Sequence, residues 1–314
     1  MREDVTARAK RQYVKGHDGT EIYYESVGEG LPLFLIDGIG CYGYVWKYIR
    51  QYFGSTNRII HMHYRGHGKT AIPADENNLT IQDLCQDIAA VMEAEDIDGA
   101  VMLGHSMGVQ VILEFAHLFP EKTHGLVPIC GSYGRPLSTF NGSDIAEKYL
   151  LPILYGPMVL TPWVFTPIWK WGMRTPLALA IALRTEANRH LINVEDFKPY
   201  FKDISRVPIK IFVKMLDHAA KHDAEPNLPN IACPTLIVAG EHDGFTPASL
   251  SAHMCEAMPN AELITLPHTT HTAPLEMPDL LNLRLEKWLR RHFDFVPPDE
   301  MNLARTAPLR AVSS

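Results

Sequence analysis

Six short, mainly apolar runs recur along the chain: Leu33–Ile36, Arg58–Met62, Ala100–Leu103, Leu126–Cys130, Thr235–Ala239 and Glu262–Leu266. Runs of this length without polar alternation predict strands buried on both faces, which arise where crossover helices cover a parallel sheet. Helical patterns lie between them, so the expected fold is α/β, with a mostly parallel central sheet and helices on both faces. The best-marked helix follows Thr80. Thr80 and Asp83 hold the positions of a capping box, and Ile81, Leu84, Cys85, Ile88, Val91 and Met92 fall on one side at helical spacing. Ahead of the sheet, Gln12–Lys15 and Thr20–Val27 flank His17-Asp18-Gly19, and an Asp-Gly pair between alternating segments predicts an antiparallel hairpin.

Between about Tyr133 and Pro229 the alternation stops, and Pro, Trp and aliphatic residues dominate as far as Leu183. The expected organisation is a first core part over 1–132, an inserted, mainly helical cap over 133–229, a second core part over 230–295 and a flexible tail over 296–314. Leu150 to Trp169 is twenty residues without a charge, the length of a bilayer-spanning helix. Pro152, Pro157, Pro162 and Pro167 argue against one straight helix, because an interior proline costs about 3 kcal/mol, and a broken apolar lid is expected instead. Within it Trp163, Phe165 and Met158 are candidate substrate contacts, and the same apolar residues allow packing of cap on core or peripheral contact with a membrane or lipid.

Lysines and arginines number 29 against 36 acids, a net charge of −7, so the dense basic surface that nucleic acid requires is missing. Five scattered cysteines lack the spacing of a zinc or redox site, and the mixed-charge start of the chain lacks the apolar stretch of a secretory signal. A cytoplasmic location with reduced thiols is expected.

The chemistry concentrates at Gly104-His105-Ser106-Met107-Gly108, directly after one apolar run and directly before the helical pattern Val109–Phe119. A G-x-S-x-G sequence between strand and helix sets its serine on a sharp, strained turn, with small residues two positions away letting strand and helix approach. Serine needs a base, and the base needs an acid to orient it and stabilise its charged form. Asp243 follows the run Thr235–Ala239, at the sheet end where such folds build sites, with Asp217 and Glu241 as other acids. His271 follows Glu262–Leu266, with His268 three residues before it as a competing base. His61, His63 and His67 resemble a metal cluster but alternate along a strand end and its loop, so no metal and no cofactor are expected.

Taken together, Tyr64-Arg65-Gly66-His67-Gly68-Lys69-Thr70, Gly104 to Gly108, Gly240-Glu241-His242-Asp243 and His271 to Pro278 resemble motifs of the α/β-hydrolase superfamily, from about Gln12 to Phe293. The order Ser106, Asp243, His271 matches that family's triad, and the family's H-x-x-x-x-E-x-P segment selects His271 over His268, through Glu276 and Pro278. The resemblance implies an oxyanion hole from the backbone N–H groups of Met107 and Ile39. Asp37-Gly38-Ile39-Gly40 departs from the common His-Gly start and has no triple glycine, and Val109 stands where many relatives carry glycine. In this family the single-glycine type accompanies medium and long acyl groups more than bulky alcohols. The expected activity is a serine hydrolase acting on a small-molecule carboxylic ester with an apolar acyl or alcohol part. The same triad would also serve an acyltransferase, a thioesterase, a carbon–carbon bond hydrolase or a perhydrolase side activity, and a ligand-binding protein with little turnover is a more distant alternative.

Overall fold

The computed structural model of the chain describes residues 9–134 and 151–295, together with Tyr149. Residues 1–8, most of 135–150 and the tail expected over 296–314 lie outside the described residues. Lys10–Lys15 (β1) and Glu21–Val27 (β2) form the antiparallel hairpin around His17-Asp18-Gly19. Pro32–Ile36 (β3), Arg58–Met62 (β4), Ala100–His105 (β5), Thr123–Ile129 (β6), Thr235–Gly240 (β7) and Ala261–Leu266 (β8) extend it, one strand for each apolar run. The sheet has the order β1-β2-β4-β3-β5-β6-β7-β8. β2 meets β4 antiparallel and the pairs from β4 onward run parallel. β5 lies at its centre and all six of its residues are buried.

Helices cover both faces. Lys47–Phe53 (α1), Ile81–Ala94 (α2) and Met107–Leu118 (α3) alternate with the early strands. Ala248–Ala257 (α9), Ala273–Glu276 (α10) and Pro278–His292 (α11) follow the late ones, and the intervening helices lie between β6 and β7. On one face Ala100 and Met102 of β5 pack with Leu84, Ile88, Val111 and Phe115 of α2 and α3. On the other, Val101 and Leu103 pack with Ile49, Phe53, Leu285 and Trp288 of α1 and α11. Burial of each such side chain contributes about 1.5–3 kcal/mol. The capping box forms as expected, Thr80 Oγ1 accepting from Asp83 N at 3.1 Å and the Asp83 carboxylate accepting from Thr80 N at 2.9 Å. In the loop after β4, Arg65 is buried and donates from Nε and Nη2 to both Asp87 carboxylate oxygens at 2.7 Å, which fastens that loop to α2.

Between β6 and β7 the described chain is helical: Leu151–Leu160 (α4), Pro162–Gly172 (α5), Pro176–Thr185 (α6), Val194–Ile204 (α7) and Ile209–Lys221 (α8). The charge-free stretch is broken at Thr161. Pro162 opens α5, where a missing N–H is harmless, while Pro157 and Pro167 lie inside their helices. Helices of ten or eleven residues reach only about 15–17 Å. Among the described residues no helix is long and apolar enough to cross a membrane. Trp169 secures α5 by donating Nε1–H to the Ile204 carbonyl at 3.0 Å and packing on Phe212 with ring centroids 5.0 Å apart. Phe197 and Phe201 of α7 cluster with Ala182 of α6 and with Leu275, tying these helices to the segment after β8.

Candidate active site

β5 ends at His105 and α3 begins at Met107, so Ser106 alone makes the turn between them. Its φ of 57° and ψ of −120° lie where L residues rarely sit, a strain of about 1–3 kcal/mol. The two glycines of the motif permit the turn. A Cβ on Gly104 would stand 2.4 Å from the Gly108 carbonyl oxygen, and one on Gly108 would stand 2.4 Å from the Ile36 carbonyl oxygen. The serine thus sits at the carboxyl end of the central strand and at the N-terminus of α3, where backbone N–H groups favour negative charge.

Two loops from the far part of the chain complete the arrangement. His271, after β8, places Nε2 at 2.9 Å from Ser106 Oγ and Nδ1 at 2.9 Å from Asp243 Oδ2, after β7. Asp243 Oδ1 accepts from the backbone N–H groups of Phe245 and Thr246 at 2.8 and 2.9 Å, and Oδ2 accepts from Thr246 Oγ1 at 2.7 Å. Burial alone would raise this carboxyl; the facing His271 and the hydrogen bonds outweigh it and hold Asp243 below the usual carboxylate range. Burial likewise lowers His271, but the charge and hydrogen bond of Asp243, aided by Glu186 and Glu276, carry it above the ordinary 6.5. Phe245 stacks on the imidazole with centroids 5.1 Å apart.

A second layer fixes the base. The Glu276 carboxylate accepts from Thr270 N at 2.7 Å, Thr272 Oγ1 at 2.7 Å and Asn188 N at 2.8 Å, which explains why a glutamate five residues beyond His271 marks the loop. His105 donates Nε2–H to the His271 carbonyl at 2.9 Å, and burial pushes its pKa down to about 3, so it is a neutral support. The alternatives lie elsewhere. His268 is exposed and gives its backbone N–H to Glu241, itself exposed, while Asp217 pairs with Lys221 on α8.

Ile39 and Met107 both line the cavity beside Ser106. The next N–H in the early loop, that of Gly40, is already donated to His67 Nε2 at 3.1 Å. Asp37 anchors this loop from beneath: its carboxylate accepts from Trp46 Nε1 at 2.8 Å and meets His61 Nε2 at 2.7 Å, and its carbonyl accepts from Tyr64 at 2.6 Å. Burial pushes Asp37 up to about 7 and His61 well down. The three histidines of this region are engaged with the protein, His63 Nδ1 accepting from Lys69 N and His67 bridging the Arg65 carbonyl and Gly40. Among the described residues, the donors spaced to hold a metal are the exposed Glu241, His242 and His268.

The cavity over Ser106 measures about 230 Å³. Its apolar wall comes from Ile39, Phe212, Leu216, Ala219 and Phe245, with Tyr44 and Tyr200 on α7's side. Three expected contacts need correction. Trp163, Phe165 and Met158 are not among the lining residues; Trp163 is 70% exposed, and α8 supplies the wall expected from α4 and α5. The helical phase of α5 sends Trp163 outward while Trp169 points in. Sequence reasoning also missed Glu186, a carboxyl in this cavity that burial pushes up to about 7, and Thr246, whose hydroxyl braces Asp243. The spacing of Thr246 from the acid was a usable signal for the second; nothing local marks the first.

Residues 34–282 match a family model described as the Alpha/beta hydrolase family. A 2-hydroxy-6-oxo-6-phenylhexa-2,4-dienoate hydrolase from Burkholderia cepacia is 25% identical, across 90% of this chain and 96% of the relative. Among solved structures, a thermophilic esterase from Thermogutta terrifontis superposes with a TM-score of 0.73 at 21% identity, covering 90% of this chain and 100% of the other. The enol-lactonase from Burkholderia xenovorans gives 0.70 at 18% identity, covering 89% and 100%. At these identities the structural likeness is one of fold.

Proposed function

The chain belongs to the alpha/beta hydrolase family, and from that premise we propose that it is a serine hydrolase cleaving a carboxylic ester with an apolar acyl or alcohol group. The observation that carries this reading is the unbroken relay of 2.9 Å contacts from Ser106 through His271 to Asp243, at the floor of an apolar cavity.

In this mechanism His271 Nε2 takes the Ser106 proton as Oγ attacks the carbonyl carbon. The N–H groups of Met107 and Ile39 receive the developing oxyanion. His271 returns the proton to the leaving alkoxide, leaving an acyl-Ser106, and then activates the water that releases the acid. Asp243 holds Nδ1–H and so keeps Nε2 free to accept. Helices α4–α8 act as a cap, whose α8 shapes the pocket. A cavity near 230 Å³ lies below the usual range for drug-sized ligands, which favours small to medium acyl groups over long ones.

Hydrolysis of p-nitrophenyl esters of increasing acyl length, run beside Ser106→Ala, tests the reading. Expected is turnover that depends on Ser106, peaks at short to medium chains and declines for the longest. Undiminished turnover by Ser106→Ala would refute it. A second reading, cleavage of a carbon–carbon bond, draws support from the Burkholderia cepacia relative. Ester turnover near background with Ser106 still labelled by a fluorophosphonate would favour that reading.

A further inference from the structure

Helices at a protein surface normally turn their apolar side inward. α4, α5 and α6 also present one outward. On α5, Trp163, Val164, Ile168 and Trp171 share the exposed side, while Trp169 points in. Ile153 and Leu160 of α4 and Leu177 and Ile181 of α6 extend the same exposure. Ten of the fourteen exposed large apolar side chains among the described residues fall between Tyr149 and Ile181, with Trp163 70% and Trp171 73% exposed. Scattered exposed apolar residues are ordinary, but a concentration of this size marks a surface that meets something.

Charge says what. Residues 149–185 carry Lys170, Arg174 and Arg184 and no acid, so the rest of a chain of net charge −7 carries −7 − 3 = −10. Pairing of this face with a second copy would set cations against cations in a self-complementary contact. A surface that is anionic outside and hydrocarbon within satisfies both features at once. The helices are too short to span it, and short apolar helices edged by cations and tryptophan lie in the interfacial plane.

We propose that α4–α6 form a docking face for an anionic lipid bilayer. The face is coupled to the site beneath it. α4 and α5 pack on α8, which lines the cavity through Phe212 and Leu216. The Glu186 carbonyl, just past the end of α6, accepts from the hydroxyl of Thr270, the residue before His271, at 2.8 Å. Docking would therefore hold the cavity one helical layer from the lipid.

The test uses the full chain carrying Ser106→Ala, so that its outcome is independent of turnover. Vesicles of phosphatidylcholine alone are compared with vesicles of phosphatidylcholine and phosphatidylglycerol in equal parts, by co-sedimentation and tryptophan emission. Expected is sedimentation with the mixed vesicles and a shift of emission to shorter wavelength, both strongly reduced with phosphatidylcholine alone. Adding Lys170→Gln, Arg174→Gln and Arg184→Gln together should lower partitioning about a hundredfold. Trp163→Ser with Trp171→Ser should abolish the emission shift and lower partitioning at least tenfold, with far-UV circular dichroism and Tm unchanged because both side chains are exposed. Recovery in the supernatant with mixed vesicles at low salt overturns the proposal. So does equal binding to both vesicle types, or a concentration-dependent dimer that the two serine substitutions dissolve.

Discussion

Asp243→Asn tests the proposed relay most sharply, because the surrounding hydrogen bonds dictate which way the new amide must turn. Asp243 Oδ1 accepts two backbone N–H groups, those of Phe245 and Thr246. An amide nitrogen there would face two donors that cannot rotate away, at about 1–3 kcal/mol for each unmade bond. The amide oxygen must take that place, which puts the NH2 where Oδ2 stands, 2.9 Å from His271 Nδ1. A donor facing Nδ1 forces the imidazole proton onto Nε2, the nitrogen 2.9 Å from Ser106 Oγ. The base then presents a hydrogen where it should present a lone pair. A wrong tautomer in a serine triad costs about 10⁴-fold in rate, which corresponds to about 5.5 kcal/mol of transition-state stabilisation. The assay is kcat/KM for a short-chain p-nitrophenyl ester at neutral pH, with the rate of fluorophosphonate labelling as a parallel readout. Asp243→Ala removes the charge without supplying the donor, so it should lose less than Asp243→Asn. An Asn variant within tenfold of the parent would refute the tautomer argument and, with it, the role assigned to Asp243.

Only neutral His271 accepts the serine proton, and its pKa is raised in the folded chain, so kcat/KM should rise with pH through a midpoint above 6.5. Glu186→Gln removes one of the charges raising His271 and should move that midpoint to lower pH; an unmoved midpoint would show that Glu186 does not act on the base. Arg65→Ala leaves the fully buried Asp87 carboxylate without its bidentate partner and should cost about 3–5 kcal/mol in urea unfolding. A loss under about 1 kcal/mol there would mean that water replaces the guanidinium. Thr80→Ala removes one half of the α2 capping box and should cost about 1 kcal/mol, with an unchanged urea midpoint counting against the cap.

Much of this fold was legible because its signals are local. A strand buried on both faces must be apolar throughout, and each of the six runs became one. The same holds for the serine turn, since Gly104 and Gly108 sit where any Cβ would strike a carbonyl oxygen. The order of the strands was not legible, because β3 enters between β4 and β5 through contacts that no stretch of sequence contains. Within the site, the relay residues follow their strands at characteristic spacings, whereas the cavity wall has no such marker. Tyr44, Glu186, Tyr200 and Phe212 come from four separate segments, and only their convergence makes a pocket.

The tryptophans show the division most clearly. Composition identified Leu150 to Trp169 as apolar and free of charge, and its prolines foretold a broken rather than a continuous helix. Which tryptophan packs and which meets solvent depended on the phase of α5 against α8, so Trp169 is anchored at Ile204 while Trp163 and Trp171 are bare. By itself the sequence determined the strands, the strained serine and the residues able to serve it, because backbone sterics and hydrophobic burial act over a few neighbouring positions. The tertiary structure decided what surrounds them, because the dielectric around Glu186, the shape of the cavity and the exposure of an apolar face are sums over residues that only folding brings together.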